Sequence, residues 1–249
     1  CSCPKCGGAA KRETDTMPQW AGSSWYFLRY CDPKNDSAFA GMEALKYWMP
    51  VDWYNGGMEH VTRHMIYSRF WYRFLYDLGE VPYIEPYMKR SAVGLVLGPD
   101  GQKMSKSKGN VIDPLEVSNV YGADTLRTYV CFMGEYGSAS PWDDKGVKGA
   151  RRFLDRVAGL TDLVKGTGET PELTSAFHKT IKKVSSDIEE LKFNTAIASM
   201  MSLINEIYDH GSLTKDELET LLKLLCPFSP HLCEEVHEAL SRRRQGCSP

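Results

Sequence analysis

The stretch SAVGLVLGPDGQKMSKSKGNVIDP (residues 91–114) passes from an apolar run to a lysine-rich loop and then to an Asp-Pro pair. The apolar run reads as the end of a strand covering 87–97. The loop gathers Lys103, Lys106 and Lys108 between Gly101 and Gly109. A solvated turn would account for that composition. Clustered ammonium groups on a glycine-hinged backbone also suit a mobile loop that seeks phosphate. Asp113-Pro114 reads as a helix start, because Pro in the first turn lacks only an N–H that would have no partner there. Strand, loop and helix in that order point to an α/β fold.

Working outward gives the same alternation. VDWYNGG (51–57) reads as a buried strand ending in a Gly-Gly turn, and EHVTRHMIYSRFWYRFLYDL (59–78) as one amphipathic helix closed by Gly79. KRETDT (11–16) reads as a short strand and PQWAGSSWYFLRY (18–30) as an aromatic-rich turn and helix. YGADTLRTYVCFM (121–133) reads as a further helix. Beyond Trp142 the texture changes, and segments such as GVKGARRFLDRVAGLTDLV and NTAIASMMSLINEIYDH repeat apolar residues at helical spacing. The expected organisation is an α/β part over 1–144, an all-α bundle over 145–240 and a disordered tail over 241–249.

The chain has 249 residues, 42% hydrophobic and 25% charged, which suits a globular protein with one large domain or two ordinary ones. No apolar run approaches the ~20 residues of a membrane helix, so no membrane partner is expected. A net charge of −2 gives no global pull toward nucleic acid. Any such contact must be local. Lys148, Arg151, Arg152 and Arg156 lie at helical spacing, as a phosphate-contacting stripe or a solvated face. Eight scattered cysteines and no secretory signal point to reduced thiols and a cytoplasmic protein. Cys3-x-x-Cys6 has metal-ligand spacing, with Cys1 as a third thiol, but a structural zinc site takes four ligands and zinc is not counted on.

Two segments carry chemistry. In GGMEHVTRH (56–64), paired glycines let a ligand approach the backbone, and His60 and His64 at a spacing of four would share a helix face. Glu59 is placed to accept hydrogen bonds from sugar hydroxyls. KMSKS (103–107) with Gly109-Asn110 is the second, and on it the chain resembles the class I aminoacyl-tRNA synthetases. RETDTMPQWAGSSWYFLRY, NGGMEHVTRHMIYSRFWYRFLYDLG and KMSKSKGNVIDP followed by YGADTLR are similar, in order, to the bacterial leucyl branch of that family.

The resemblance implies the second half of a class I Rossmann-type catalytic domain followed by an anticodon-binding helical bundle. It implies activation of leucine with ATP and Mg2+ and transfer to tRNA(Leu). Lys103 and Lys106 would stabilise the leaving pyrophosphate. Met104, Ser105 and Ser107 would join them around ATP. Gly56, Gly57 and Glu59 would bind adenosine, with Leu95, Val96 and Leu97 passing the adenine. Trp20, Ser23, Tyr26, His60 and His64 would line the leucine pocket. The bundle would support the tRNA body rather than read anticodon bases. None of the six histidines begins a His-x-Gly-His motif, which the family uses on the opposite side of the ATP phosphates, and no Met precedes Cys1. The chain is therefore expected to be part of a longer enzyme, to need an N-terminal half as partner, and to be weakly active or inactive alone. The alternative is a non-catalytic paralogue that binds tRNA or protein.

Overall fold

The apolar run at 87–97 does not form one strand. It divides at Gly94, whose N–H donates to Tyr136 O (2.8 Å) and whose missing Cβ leaves room for the Ser138 backbone. The structure, a computed structural model, describes residues 1–16 and 19–245. The chain separates by its contacts into two compact units, Cys1–Val93 and Gly94–Pro249.

The first unit opens with a tight turn in which Ser2 bridges Ala9 and the Cys3 N–H donates to Gly8 O (2.8 Å). KRETDT forms no strand, contrary to expectation. The Glu13 carboxylate takes the N–H groups of Thr14 and Asp15 (2.9 and 3.0 Å), a local alternative to a ladder. The expected turn and helix begin with Pro18, which lies outside the described residues; from Gln19 they form a 3-10 segment, Gln19–Ser24, and helix α1, Tyr26–Cys31. Helix α2 (Met42–Trp48), strand β1 (Tyr54–Gly57), a 3-10 turn (Met58–His60), helix α3 (His64–Asp77) and strand β2 (Arg90–Val93) follow. β1 and β2 pair in parallel, Tyr54 opposite Arg90, so α3 lies on the crossover between them, as parallel pairing requires. Phe27, Leu28, Leu45, Tyr72, Leu75 and Val81 form the core of this unit.

Two expectations are corrected here. Gly56 and Gly57 are not a turn but extended residues of β1. The chain consequently reverses in the 3-10 turn, and the long helix expected from 59 begins only at His64, after Arg63 at φ −124°, ψ −98°. His60 and His64 therefore do not share a helix face.

In the second unit, strand β3 (Val96–Leu97) leads into the lysine loop, which contains a 3-10 turn at Lys106–Lys108. Helix α4 (Pro114–Tyr121) starts as expected, with the Asp113 carboxylate accepting the Leu115 N–H (2.8 Å). Helix α5 (Ala123–Phe132) precedes strand β4 (Ser140–Pro141), which pairs in parallel with β3. Helices α6 (Asp144–Gly159), α7 (Pro171–Glu189), α8 (Phe193–His210), α9 (Lys215–Leu225) and α10 (Pro230–Gln245) complete it. Their apolar stripes bury Val157, Leu160, Ile197, Met200, Ile204, Leu218 and Leu225 in one core. The tail expected from 241 is helical as far as Gln245, because α10 continues; residues 246–249 lie outside the described residues. Among the described residues no helix is long and apolar enough to cross a membrane.

Candidate functional site

In the first unit the 3-10 segment, α1, β1, the 3-10 turn and the start of α3 bring six polar or aromatic side chains together. His64 is buried, with 8% of its surface exposed. Its Nδ1 lies 3.2 Å from Ser23 Oγ and its Nε2 lies 2.6 Å from Tyr54 Oη. Tyr54 Oη is in turn 2.8 Å from Tyr26 Oη. Ser23 Oγ also donates to Trp20 O at 2.9 Å. His60 contacts the edge of Trp20, with ring centroids 5.3 Å apart. Trp20, Ser23, Tyr26, His60 and His64, all expected from the sequence as one pocket, are thus linked directly or through Tyr54. Burial, helped by nearby His60, holds the His64 imidazole below its ordinary pKa and therefore neutral at pH 7. Burial above all holds the Tyr54 phenol well above its ordinary range.

Sequence reasoning missed Tyr54. Its one signal was a place in a strand before two glycines, which reads as core. In the structure its half-buried ring stacks on Tyr87 at 4.1 Å, and its hydroxyl links His64 to Tyr26.

Beside this network, β1 ends at Gly57, whose carbonyl accepts from Arg90 Nη2 (3.0 Å). A Cβ at Gly57 would collide with the Glu59 carboxylate, so glycine lets that carboxylate fold over the strand end. Gly56 has open space where a Cβ would stand. A backbone bare on one side with a carboxylate beside it can accept hydrogen bonds from a flat ligand with hydroxyls.

In the second unit the lysine loop is braced from within. Lys103 bridges back to Leu97, and Gly98 N–H donates to Gln102 O at 2.8 Å. Asn110 accepts the Ser105 N–H (2.9 Å) and donates to the Asp100 carboxylate (3.1 Å). Lys108 Nζ is committed to Gln102 Oε1 (2.7 Å), and Ser105 and Ser107 share a hydrogen bond of 2.9 Å. Met104 packs against the Tyr129–Trp142 cluster. Leu95 is exposed, while Val96 and Leu97 are half-buried in β3. Lys103 and Lys106 are exposed, and among the described residues no hydrogen bond or ion pair holds their ammonium groups. The loop thus commits one lysine to its own frame and leaves two available to an anion.

No group of three or more His, Cys, Asp or Glu is placed to hold a metal ion among the described residues. Cys1 Sγ donates to Ala10 O (3.3 Å), and the Cys3 thiol is held below its ordinary pKa by the backbone N–H groups of Cys6 and Lys5. Two or three thiols in this turn do not complete a four-ligand zinc site. On α6, Arg151 bonds Asp155 and Tyr121 O (2.8 and 3.1 Å), and Arg156 bonds Asn205 (2.8 Å) and lies over the Tyr208 ring. Of the four expected stripe residues, these two are engaged within the protein, while Lys148 and Arg152 remain exposed.

Residues 5–143 match the family described as tRNA synthetases class I (I, L, M and V), over more than half of the chain. The chain belongs to this family. Residues 171–246 match the anticodon-binding domain of tRNA ligase. The leucine–tRNA ligase of Alkaliphilus oremlandii is 60% identical over 240 residues, covering 96% of this chain and 30% of that protein. That of Bdellovibrio bacteriovorus is 50% identical, covering 93% of this chain and 30% of the relative. The chain spans about 30% of the length of both relatives. The leucyl-tRNA synthetase of Agrobacterium radiobacter, solved as a ternary complex with tRNA and LeuAMS, superposes with a TM-score of 0.83 at 37% identity, over 100% of this chain and 34% of that one. A Mycobacterium tuberculosis methionyl-tRNA synthetase shares the fold, with a TM-score of 0.62 at 15% identity over 87% of this chain and 48% of that one. The expected α/β class I fold with a helical second part is borne out for this class I synthetase chain.

Proposed function

We propose that this chain is the part of a leucyl-tRNA synthetase that holds the leucine side chain and adenosine and carries the lysine loop, followed by the helical bundle that supports tRNA(Leu). In activation a leucine carboxylate oxygen attacks the α-phosphorus of ATP, the bond from that phosphorus to the α,β-bridging oxygen breaks, and pyrophosphate departs, giving leucyl-adenylate. Negative charge gathers on the departing phosphates, and Lys103 and Lys106 supply mobile positive charge to it. Mg2+ enters with ATP as part of the substrate. Gly56, Gly57 and Glu59 would take the adenosine, with Leu95, Val96 and Leu97 along the adenine. Trp20, Ser23, Tyr26, His60 and His64 would surround the aliphatic side chain. Transfer then passes the leucyl group from adenylate to a ribose hydroxyl of tRNA(Leu), releasing AMP.

The observation that carries this reading is the braced loop with two ammonium groups that no hydrogen bond or ion pair holds among the described residues. The 60% likeness to a leucine–tRNA ligase directs it toward leucine. Its test is leucine-dependent exchange between ATP and pyrophosphate, with a segment bearing His-x-Gly-His supplied in trans. Lys106→Ala should lower the exchange rate about 10²–10³-fold, the cost of losing one charge-stabilising group. Exchange that ignores leucine, or that survives the double change at Lys103 and Lys106, would refute it. The 249-residue chain alone, without that segment, should show little exchange.

A further inference from the structure

The hydrogen bonds around His64 have a direction. A serine hydroxyl carries one hydrogen, and Ser23 Oγ lies closer to Trp20 O (2.9 Å) than to His64 Nδ1 (3.2 Å). Ser23 therefore gives its hydrogen to the carbonyl and accepts from Nδ1–H. That leaves Nε2 as a bare acceptor. The 2.6 Å separation from Tyr54 Oη fits a phenol donating to it, since O–H donors form shorter bonds than N–H donors and the phenol is the more acidic partner. With its own hydrogen committed, Tyr54 Oη accepts from Tyr26 O–H at 2.8 Å.

We infer that Tyr54 is a positioning residue for the amino-acid side-chain pocket: its hydroxyl locks His64 as the Nδ1–H tautomer within one continuous chain from Tyr26 through Tyr54, His64 and Ser23 to the Trp20 carbonyl. This rests on the reading of Ser23, Tyr26 and His64 as the pocket for leucine. Its consequence for specificity is electrostatic. Each donor in the chain already has an acceptor, so the Tyr26, Tyr54 and His64 rings offer no free donor. An aliphatic side chain loses nothing on entering, whereas a hydrogen-bond acceptor of similar size would lose its water without finding a free donor in the chain. The neutral state of His64 and the suppressed ionisation of Tyr54 agree with neutral groups along the whole chain. The titratable groups around His64 are His60, Tyr26 and Tyr54, with Tyr87 stacked behind Tyr54.

Nitrogen NMR of the chain labelled at histidine tests the inference, with His64→Gln assigning the signal. In the wild type His64 should be neutral and protonated at Nδ1. A wild-type Nε2–H form overturns the inference without any variant. Tyr54→Phe keeps the ring on Tyr87 and removes only the hydroxyl. It should mix the two tautomers and raise the His64 midpoint by roughly half a pH unit or more. A purely structural role would move the melting temperature and leave the tautomer alone, and that result also overturns the inference. Titration with leucine, with the segment bearing His-x-Gly-His supplied in trans, separates the two claims. A His64 signal that ignores leucine in the wild type, beside a tautomer that responds to Tyr54→Phe, refutes the pocket assignment and leaves the tautomer lock standing.

Discussion

At the scale of single residues, function is legible where a side chain departs from what folding alone requires. Lys103 and Lys106 announce themselves because two further charges near Lys108 serve no core. Asn110 does not, yet its amide is bonded to Ser105 N–H, Asp100 and Lys103 O, the last at 3.4 Å. Asn110→Ala should therefore loosen the loop, with faster amide exchange at Ser105, and lower pyrophosphate exchange while both lysines remain. Unchanged protection at Ser105 would remove Asn110 from this role. His64 makes a pH prediction of defined sign. Its folded-state pKa lies below the unfolded value, so protonation favours unfolding. Its contribution is complete above the ordinary histidine range, near pH 6.5, and is lost as pH falls through the depressed value. Urea unfolding of the wild type should weaken over that window, and His64→Gln should flatten the slope. Equal slopes would place the burial penalty elsewhere.

At the scale of elements, the sequence revealed where local chemistry decides and concealed where distant backbone decides. The Asp113-Pro114 start of α4 was readable because cap and proline act within one turn. The break at Gly94 was not, because its cause is the Tyr136–Ser138 backbone arriving from far along the chain. Likewise the spacing of His60 and His64 looked helical, but the extended glycines of β1 shift the turn onto Met58–His60. One element-level tie is the clamp from α3 to the segment before β2. Arg69 holds the Glu85 carboxylate bidentately (2.8 and 2.9 Å), Arg73 bonds it as well, and Glu85 is held down to about 2 by Arg69 and then Arg73. The pair is solvent-exposed, so screening limits its worth to roughly 1 kcal/mol or less. That contribution is present above the unfolded carboxylate value of 4.5 and fades as pH falls toward about 2. Glu85→Gln should destabilise modestly at pH 7 and low salt, and barely at pH 2 or in high salt. A salt-independent effect would mean that packing, not charge, is at stake.

At the scale of the molecule, the family boundaries and the physical contacts divide the chain differently. The synthetase match ends at residue 143 and the anticodon-domain match begins at 171, whereas the second compact unit already begins at Gly94. Helix α5 explains the difference. Arg127 donates to the carbonyls of Pro227 and Phe228 (2.9 and 3.2 Å), and Thr128 meets Ser229 in a buried hydrogen bond of 2.6 Å. Asp124 accepts from Leu232 N–H (2.7 Å) and pairs with His231 (2.8 Å) at the start of α10. Cys131 and Phe132 pack on the bundle core. A piece covering 145–249 would leave Ser229 Oγ and Leu232 N–H without these partners and would strip apolar cover from the core. Water replaces the lost partners in the shorter piece, so each lost hydrogen bond costs about 0.5–1.5 kcal/mol net, and with the stripped apolar cover the difference against a piece covering 94–249 should reach about 2 kcal/mol or more. Urea unfolding of the two pieces measures it, and equal midpoints would show that the bundle stands without α5. The substitution Asp124→Ala in the whole chain isolates one strand of the argument. It deletes the acceptor of the Leu232 N–H and the partner of His231, so unfolding should become easier by about 1–3 kcal/mol. The Lys103–Lys106 loop makes none of these bonds, so its amide protection should stay as it was; a loop that loosened with Asp124→Ala would couple anion binding to the seam between α5 and the bundle.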